Sequence, residues 1–213
     1  MDTILLALIG ITVLISVKGF NDLYFFRKYD FHIGSIRSGE QIRMVSSGFL
    51  HADWPHLIFN MLTLYFFGPV VIELMGGFSF ILIYIVSLVA GSLLTLVMHK
   101  DDYSYRAIGA SGAVTGVLFS AILLNSEMSV SLLFIPIGIP GWLFGILYLA
   151  YSIYGMRTKS DNIGHTAHFG GAIGGYAITL IYRPDIFASD TFTVVVLDIP
   201  IVLLFVLDRM GKL

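Results

Sequence analysis

Four residues of this chain combine types and spacings that could do chemistry. Ser111 lies in Gly109-Ala110-Ser111-Gly112, where nothing bulky shields its hydroxyl or the nearby backbone. At the start of a helix, that first turn presents unpaired backbone N–H groups and the positive end of the helix dipole, which is what an oxyanion needs. The competing reading is packing, because Gly112-x-x-x-Gly116 is a common helix-association signal in membranes. His168 lies in Ala167-His168-Phe169-Gly170-Gly171-Ala172-Ile173-Gly174-Gly175. On a helix His168, Gly171, Ala172 and Gly175 share one face, and the glycines let a second helix approach backbone to backbone. Imidazole is the usual general base near neutral pH, although a histidine bonded to a neighbouring helix also fits. His56 and Asn60, with His51 just before them, form an i, i+4 donor pair in an otherwise apolar run. Such a pair can bind developing negative charge or act as interhelical glue.

Each cluster alone is ambiguous, but together they supply a nucleophile, a base and two side-chain donors on three separate helices. Serine is a poor nucleophile unless a base takes its proton. No Asp or Glu inside those helices is placed to orient His168. Glu73 is at the far end of its helix, and Asp161 and Asn162 precede the His168 helix. The expectation is a dyad rather than a triad.

The elements that must carry these residues are membrane helices. The chain has 213 residues, of which 57% are hydrophobic and only 12% charged, with a mean hydropathy of +0.88. Neither a soluble globule nor a disordered chain has that composition. The apolar runs place helices at about Ile4–Val17, Trp54–Leu74, Phe78–Met98, Ile108–Leu124, Gly141–Tyr154 and Gly164–Tyr182. Asp53, Pro55 and Gly76-Gly77 punctuate the second helix; Pro136 and Pro140 precede the fifth, and Arg183-Pro184 ends the sixth. A last run, Phe192–Phe205, carries Asp198 and Pro200 and reads as a seventh span or an interfacial segment. The fold class is therefore an all-α membrane protein, one domain over residues 1–213. Asp2 follows the initiator, so the first run is expected to be a retained helix rather than a cleaved signal peptide. A net charge of −2 gives no basic footprint for nucleic acid, and zero cysteines exclude disulfides, thiolate metal sites and a cysteine nucleophile. The connection Lys18–Asp53 is long and mixes aromatics with charge, a composition suited to the membrane–water interface.

With those residues in that order, the sequence resembles the rhomboid family of intramembrane serine proteases over about residues 34–182. The family pattern H-x-x-x-N, G-x-S-G and A-H-x-x-G-x-x-x-G is met by His56…Asn60, Gly109…Gly112 and Ala167-His168…Gly171…Gly175. The resemblance implies a six-helix transmembrane bundle with Ser111 as nucleophile and His168 as base. It also implies an oxyanion hole of His56, Asn60 and the Ser111 N–H. Gly109, Gly112, Arg43 and His51 would support the site, and Gly116, Ala167, Gly171 and Gly175 would pack its helices. Lys18–Asp53 would be the family's membrane-embedded loop, and the fifth helix, with Trp142 and Phe144, would line a substrate gate. Two positions depart from the family. Ile42 stands in place of the tryptophan of a Trp-Arg pair, and Thr115 in place of an aromatic residue that packs on the histidine.

By the family topology the amino terminus is cytoplasmic. Nine of the twelve basic residues (Lys18, Arg27, Lys28, Arg37, Arg43, Lys100, Arg106, Arg157 and Lys159) then lie outside, against the positive-inside tendency. The expected partners are the lipid bilayer and transmembrane protein substrates, with no cofactor, metal or nucleic acid, in a bacterial inner membrane. Two alternatives come from other classes. One is a metal-dependent membrane hydrolase or transporter on His51, His56, His165 and His168, although His-Glu-x-x-His is absent. The other is a catalytically inactive membrane-protein binder or chaperone on the same fold.

Overall fold

A computed structural model describes residues 2–132, 135–158 and 163–213. Lys159, Asp161 and Asn162 lie outside the described residues. The chain begins with α1 (Thr3–Asn21), started by the Asp2 carboxylate accepting from the Ile4 N–H at 2.7 Å. The long connection that follows is itself structured. It holds α2 (Leu23–Tyr29), β1 (Phe31–His32), α3 (Ile33–Arg37), α4 (Arg43–Ser46) and a 3₁₀ turn at Ser47–Phe49. Next come α5 (Trp54–Met75), capped by Asp53 on the His56 N–H at 2.8 Å, and α6 (Gly77–Met98). Gly76, at φ +85°, makes the sharp turn between these two. Then follow β2 (Arg106–Ala107), α7 (Ser111–Leu124), β3 (Ser129–Leu132), β4 (Ile135–Pro140), α8 (Gly141–Thr158), α9 (His165–Tyr182), α10 (Ile186–Ser189) and α11 (Thr191–Arg209). The strands form two small antiparallel pairs, β1 with β2 (Phe31 opposite Ala107) and β3 with β4 (Val130 opposite Ile139).

The six expected helices are all present as α1, α5, α6, α7, α8 and α9. The last apolar run is a continuous helix, α11, started by Asp190 accepting from the Thr193 N–H. By length and composition α1, α5, α6 and α11 can each cross a membrane. Four boundaries differ from the sequence reading by three residues or more. α1 continues to Asn21, beyond Val17, α8 to Thr158, beyond Tyr154, and α11 to Arg209, beyond Phe205, because helical hydrogen bonding carries on past the point where the apolar run ends. The fourth helix starts at Ser111 rather than Ile108: Arg106 and Ala107 are extended in β2, and Gly109 takes φ +115°.

α7 is the hub. Every residue from Gly112 to Leu123 is buried. One apolar cluster joins it to α1, α5 and α6, and a second joins it to α8, α9 and α11. The outer surface is oily, with Leu14, Phe66, Val97, Ile181 and Phe205 all exposed, as lipid-facing side chains are. With 14 residues α7 is about 21 Å long, well short of the ~30 Å hydrocarbon core. The chain therefore reaches Ser111 as non-helical backbone tucked inside the bundle, where protein rather than lipid satisfies its polar groups: the Gly109 N–H donates to the Ser47 carbonyl at 3.0 Å.

Candidate active site

Lipid gives helices little hydrophobic reason to associate, so close backbone packing must hold them together. α9 supplies it on two sides. Gly170 and Gly174 lie against Ala90, Gly91 and Ser87 of α6. Gly171 and Gly175 lie against the carbonyls of Gly112 and Gly116 on α7. A Cβ at Gly112 would sit 3.0 Å from the Ala167 carbonyl, and one at Gly91 only 2.7 Å from it. The seam is reinforced by hydroxyls: Thr179 Oγ1 lies 2.8 Å from Ser120 Oγ, and Ser120 Oγ lies 3.2 Å from the Gly175 carbonyl. Gly112 follows Ser111 and Ala167 precedes His168, so this seam sets the turn bearing the serine beside the turn bearing the histidine. His168 is buried and Ser111 partly so.

The positive φ of Gly109 positions the turn before Ser111. A Cβ there would be strained, and it would lie 2.7 Å from both Cε1 and Nε2 of His56. The bare glycine thus lets the His56 ring lie directly over the loop that delivers Ser111. Asn60 is buried one turn further along α5, and one of its amide protons bonds the His56 carbonyl at 2.9 Å. The amide carries a second proton.

His51 is fully buried and holds the same loop from the other side. The Ala110 N–H donates to His51 Nε2 at 3.3 Å, and His51 Nδ1 lies 2.8 Å from Ser16 Oγ. Ser16 Oγ donates in turn to the Phe49 carbonyl at 2.9 Å. The serine proton is thus committed to Phe49, so Nδ1 of His51 is the donor and Nε2 the acceptor. Burial, with His56 nearby, pushes the His51 imidazole down to about 3, so it is neutral at neutral pH. With both ring nitrogens engaged on Ser16 and the Ala110 amide, His51 serves the backbone. Among the described residues no group of three or more His, Cys, Asp or Glu converges as metal ligands do.

On its far side His168 meets α8. Tyr148 stacks on it, with ring centroids 5.5 Å apart and planes 24° apart, and the Tyr148 hydroxyl lies 3.0 Å from His168 Nδ1. The same hydroxyl is 3.0 Å from Thr115 Oγ1, which bonds the Ser111 carbonyl at 2.7 Å. The aromatic partner expected at the position of Thr115 comes instead from α8, and the small threonine leaves room for it. His165, one turn before His168, meets it edge-on at 6.0 Å. Phe144 stacks on Tyr148, whereas Trp142 packs against Phe192 of α11.

Arg43 braces the first loop. It is buried, donates to Asp30 Oδ1 at 3.0 Å and to Glu40 at 2.6 Å, and also bonds the Arg27 carbonyl at 2.8 Å. Asp30, 1% exposed, also binds Arg106 at 2.7 and 2.9 Å, with Arg27 at 3.6 Å. That ion cluster ties the loop to β2, three residues ahead of Gly109. It also engages three of the nine basic residues that count against the positive-inside rule. Ile42, where the resemblance led to an expected tryptophan, is exposed. Ser111 itself helps to line a cavity of about 30 Å³, together with Ser47, Ser92 and Thr95, large enough for one water.

Asp30, Ser16 and Tyr148 were not among the residues singled out from the sequence. Asp30 had a signal, since it is a lone carboxylate near Arg27 and Arg43. Tyr148 had a weaker one, a hydroxyl set inside an apolar helix. Ser16 had none, because its partners are 33 and 35 residues away.

The chain as a whole is similar to known proteins. A family model described as the Rhomboid domain matches residues 38–185. The chain is 27% identical over 176 residues to RHOMBOID-like protein 12, mitochondrial, of Arabidopsis thaliana, covering 75% of this chain and 52% of that protein. It is 29% identical over 138 residues to Rhomboid protein 1, mitochondrial, of Saccharomyces cerevisiae, covering 63% and 40%. It is 31% identical over 141 residues to the rhomboid protease GluP of Bacillus subtilis, covering 66% and 26%. The matched stretch thus spans about half or less of each of these relatives.

Proposed function

The chain belongs to the rhomboid family of integral membrane proteins, and on that premise we propose that it is an intramembrane serine protease with a Ser111–His168 dyad. The observation that carries this reading is the glycine seam of α7 and α9, which sets the Ser111 turn against the His168 turn with the His56 ring over the connecting loop. A relative bearing the name rhomboid protease, at 31% identity, supports the same activity.

In this mechanism His168 takes the Ser111 Oγ proton as the oxygen attacks a peptide carbonyl carbon. The new oxyanion receives hydrogen bonds from the His56 ring, the Asn60 amide and the Ser111 N–H. His168 then gives its proton to the departing amine, leaving an acyl-enzyme on Ser111. A water loses a proton to His168 and attacks the ester, and the proton returns to Ser111 as the acid leaves. Substrates are membrane proteins whose spans unwind easily, because an intact helix hides its carbonyls in hydrogen bonds. We place the protein in a bacterial inner membrane; two of the relatives above carry mitochondrial names.

A fluorophosphonate probe on the full chain in detergent micelles tests the reading. Labelling that disappears in Ser111→Ala and His168→Ala supports it. Asn60→Ala should slow labelling by about 10²-fold, as loss of one oxyanion donor does. Labelling that persists in Ser111→Ala would refute the assignment. Absence of labelling in the unmodified protein would favour a non-catalytic membrane-protein binder.

A further inference from the structure

We propose that Tyr148 is a positioning residue that, together with Thr115, fixes His168 in the tautomer with its proton on Nδ1 and its lone pair on Nε2. The role in catalysis rests on the protease reading above; the tautomer does not.

The argument follows single protons along one chain of hydrogen bonds. Its root is the Ser111 main-chain carbonyl, which can only accept. Thr115 Oγ1 lies 2.7 Å from it and is committed as the donor, the usual i to i−4 bond of a helical threonine. A hydroxyl has one proton, so in the 3.0 Å contact with Tyr148 the threonine oxygen accepts and the phenol donates. The phenol also has one proton, and it is now spent. In the 3.0 Å contact with His168 Nδ1 the phenol oxygen therefore accepts, and Nδ1–H donates. A neutral imidazole carries one ring proton, so Nε2 holds the lone pair that a base needs to take a serine proton.

The geometry also holds the ring in place. The Tyr148 ring stacks on the imidazole at 24°, so rotating the histidine would lose both the stack and the bond. In a serine–histidine–aspartate triad a carboxylate orients the base and selects its tautomer. Here a neutral phenol on α8 does so, and its own direction is set by the helix that carries the nucleophile. The root of the chain is the serine's own carbonyl, so base and nucleophile are oriented by one connected path. The residue at 115 must be small and must carry a hydroxyl, which Thr115 satisfies.

The test is nitrogen-15 NMR of the full chain, labelled on histidine, in micelles at a pH where the imidazoles are neutral. The His168 signals are assigned by their loss in His168→Ala. The unmodified protein should show Nδ1 protonated and Nε2 bare. Tyr148→Phe keeps the stack and removes the acceptor, and Thr115→Val removes the link to the carbonyl. Both should populate the opposite tautomer, and Thr115→Ser should restore the original one. In fluorophosphonate labelling, Tyr148→Phe should lower the limiting rate by about 10- to 100-fold while the half-saturating probe concentration holds. A His168 carrying its proton on Nε2 in the unmodified protein would overturn the proposal. So would a Tyr148→Phe variant with unchanged tautomer and unchanged labelling. If the protein never labels, the protease reading fails, and the NMR result still decides the tautomer.

Discussion

Lowering the pH from 7.5 to 5 should destabilise the fold through His51. Its imidazole is held neutral, with its pKa pushed from 6.5 down to about 3 by burial and by His56. Above 6.5 it is neutral in both folded and unfolded chains and costs nothing. Below 6.5 the unfolded chain takes up a proton that the folded one refuses, so stability falls until about pH 3. The slope is about 1.4 kcal/mol per pH unit, or about 2 kcal/mol by pH 5. There is a structural consequence as well. A protonated His51 cannot accept from the Ala110 N–H, the bond that ties down the residue before Ser111. Gln in place of His51 can still accept from that amide and does not titrate. His51→Gln should be about 1 kcal/mol less stable at pH 7.5, having lost the bond to Ser16. Its stability should then fall about 2 kcal/mol less than that of the unmodified protein on going to pH 5. The assay is denaturant unfolding in micelles at half-unit steps of pH, with fluorophosphonate labelling run alongside. The other ionisable groups are common to both proteins, so the difference between the two curves reports His51 together with its coupling to His56. Parallel curves from pH 7.5 to 5 would show that His51 is not the buried neutral group described here.

The remaining predictions concern the loop, the seam and the orientation. Asp30→Asn removes the carboxylate shared by Arg43, Arg106 and Arg27; with Glu40 still on Arg43, the cost should be about 3 kcal/mol in thermal or denaturant unfolding. Gly171→Ala puts a methyl onto the Gly112 carbonyl and should force α7 from α9, lowering yield and abolishing labelling. Gly10→Ala, where a Cβ meets nothing within 4 Å, should leave both unchanged. Gly109→Ala strains a positive φ and crowds His56, so labelling should fall at least ~10-fold while circular dichroism holds. A reporter enzyme fused after Arg183 should be active only on the cytoplasmic side; activity only outside would reverse the assigned orientation.

Much of the fold was legible because membrane helices announce themselves by length and oiliness. The runs from Trp54 and Phe78 lie within a residue or so of α5 and α6, since Asp53, Pro55 and Gly76 punctuate them at fixed local positions. The apolar run begins at Ile108, three residues before α7, because the hydropathy of Ile108 says nothing about the backbone twist at Gly109 or the pairing of β1 with β2. The last run could not be classed from its sequence, with Asp198 and Pro200 in its middle. Packed against α8, it forms the single helix α11, with Leu197 beside Gly145.

The sequence by itself determined the medium, the helices and the candidate groups. Fifty-seven per cent apolar residues require lipid, and the polar residues left inside the spans are too costly to be incidental. It also carried the means of assembly, since the paired glycines of α9 are local facts that dictate close approach. The tertiary structure decided which groups meet. Tyr148 reaches His168 from 20 residues away, Arg106 reaches Asp30 across 76, and Ser16 reaches His51 across 35. Helical periodicity tells which residues share a face, but not which face of another helix will lie opposite. That choice is made when α9 wedges between α6 and α7, α8 brings Tyr148 to His168, and α1 brings Ser16 to His51.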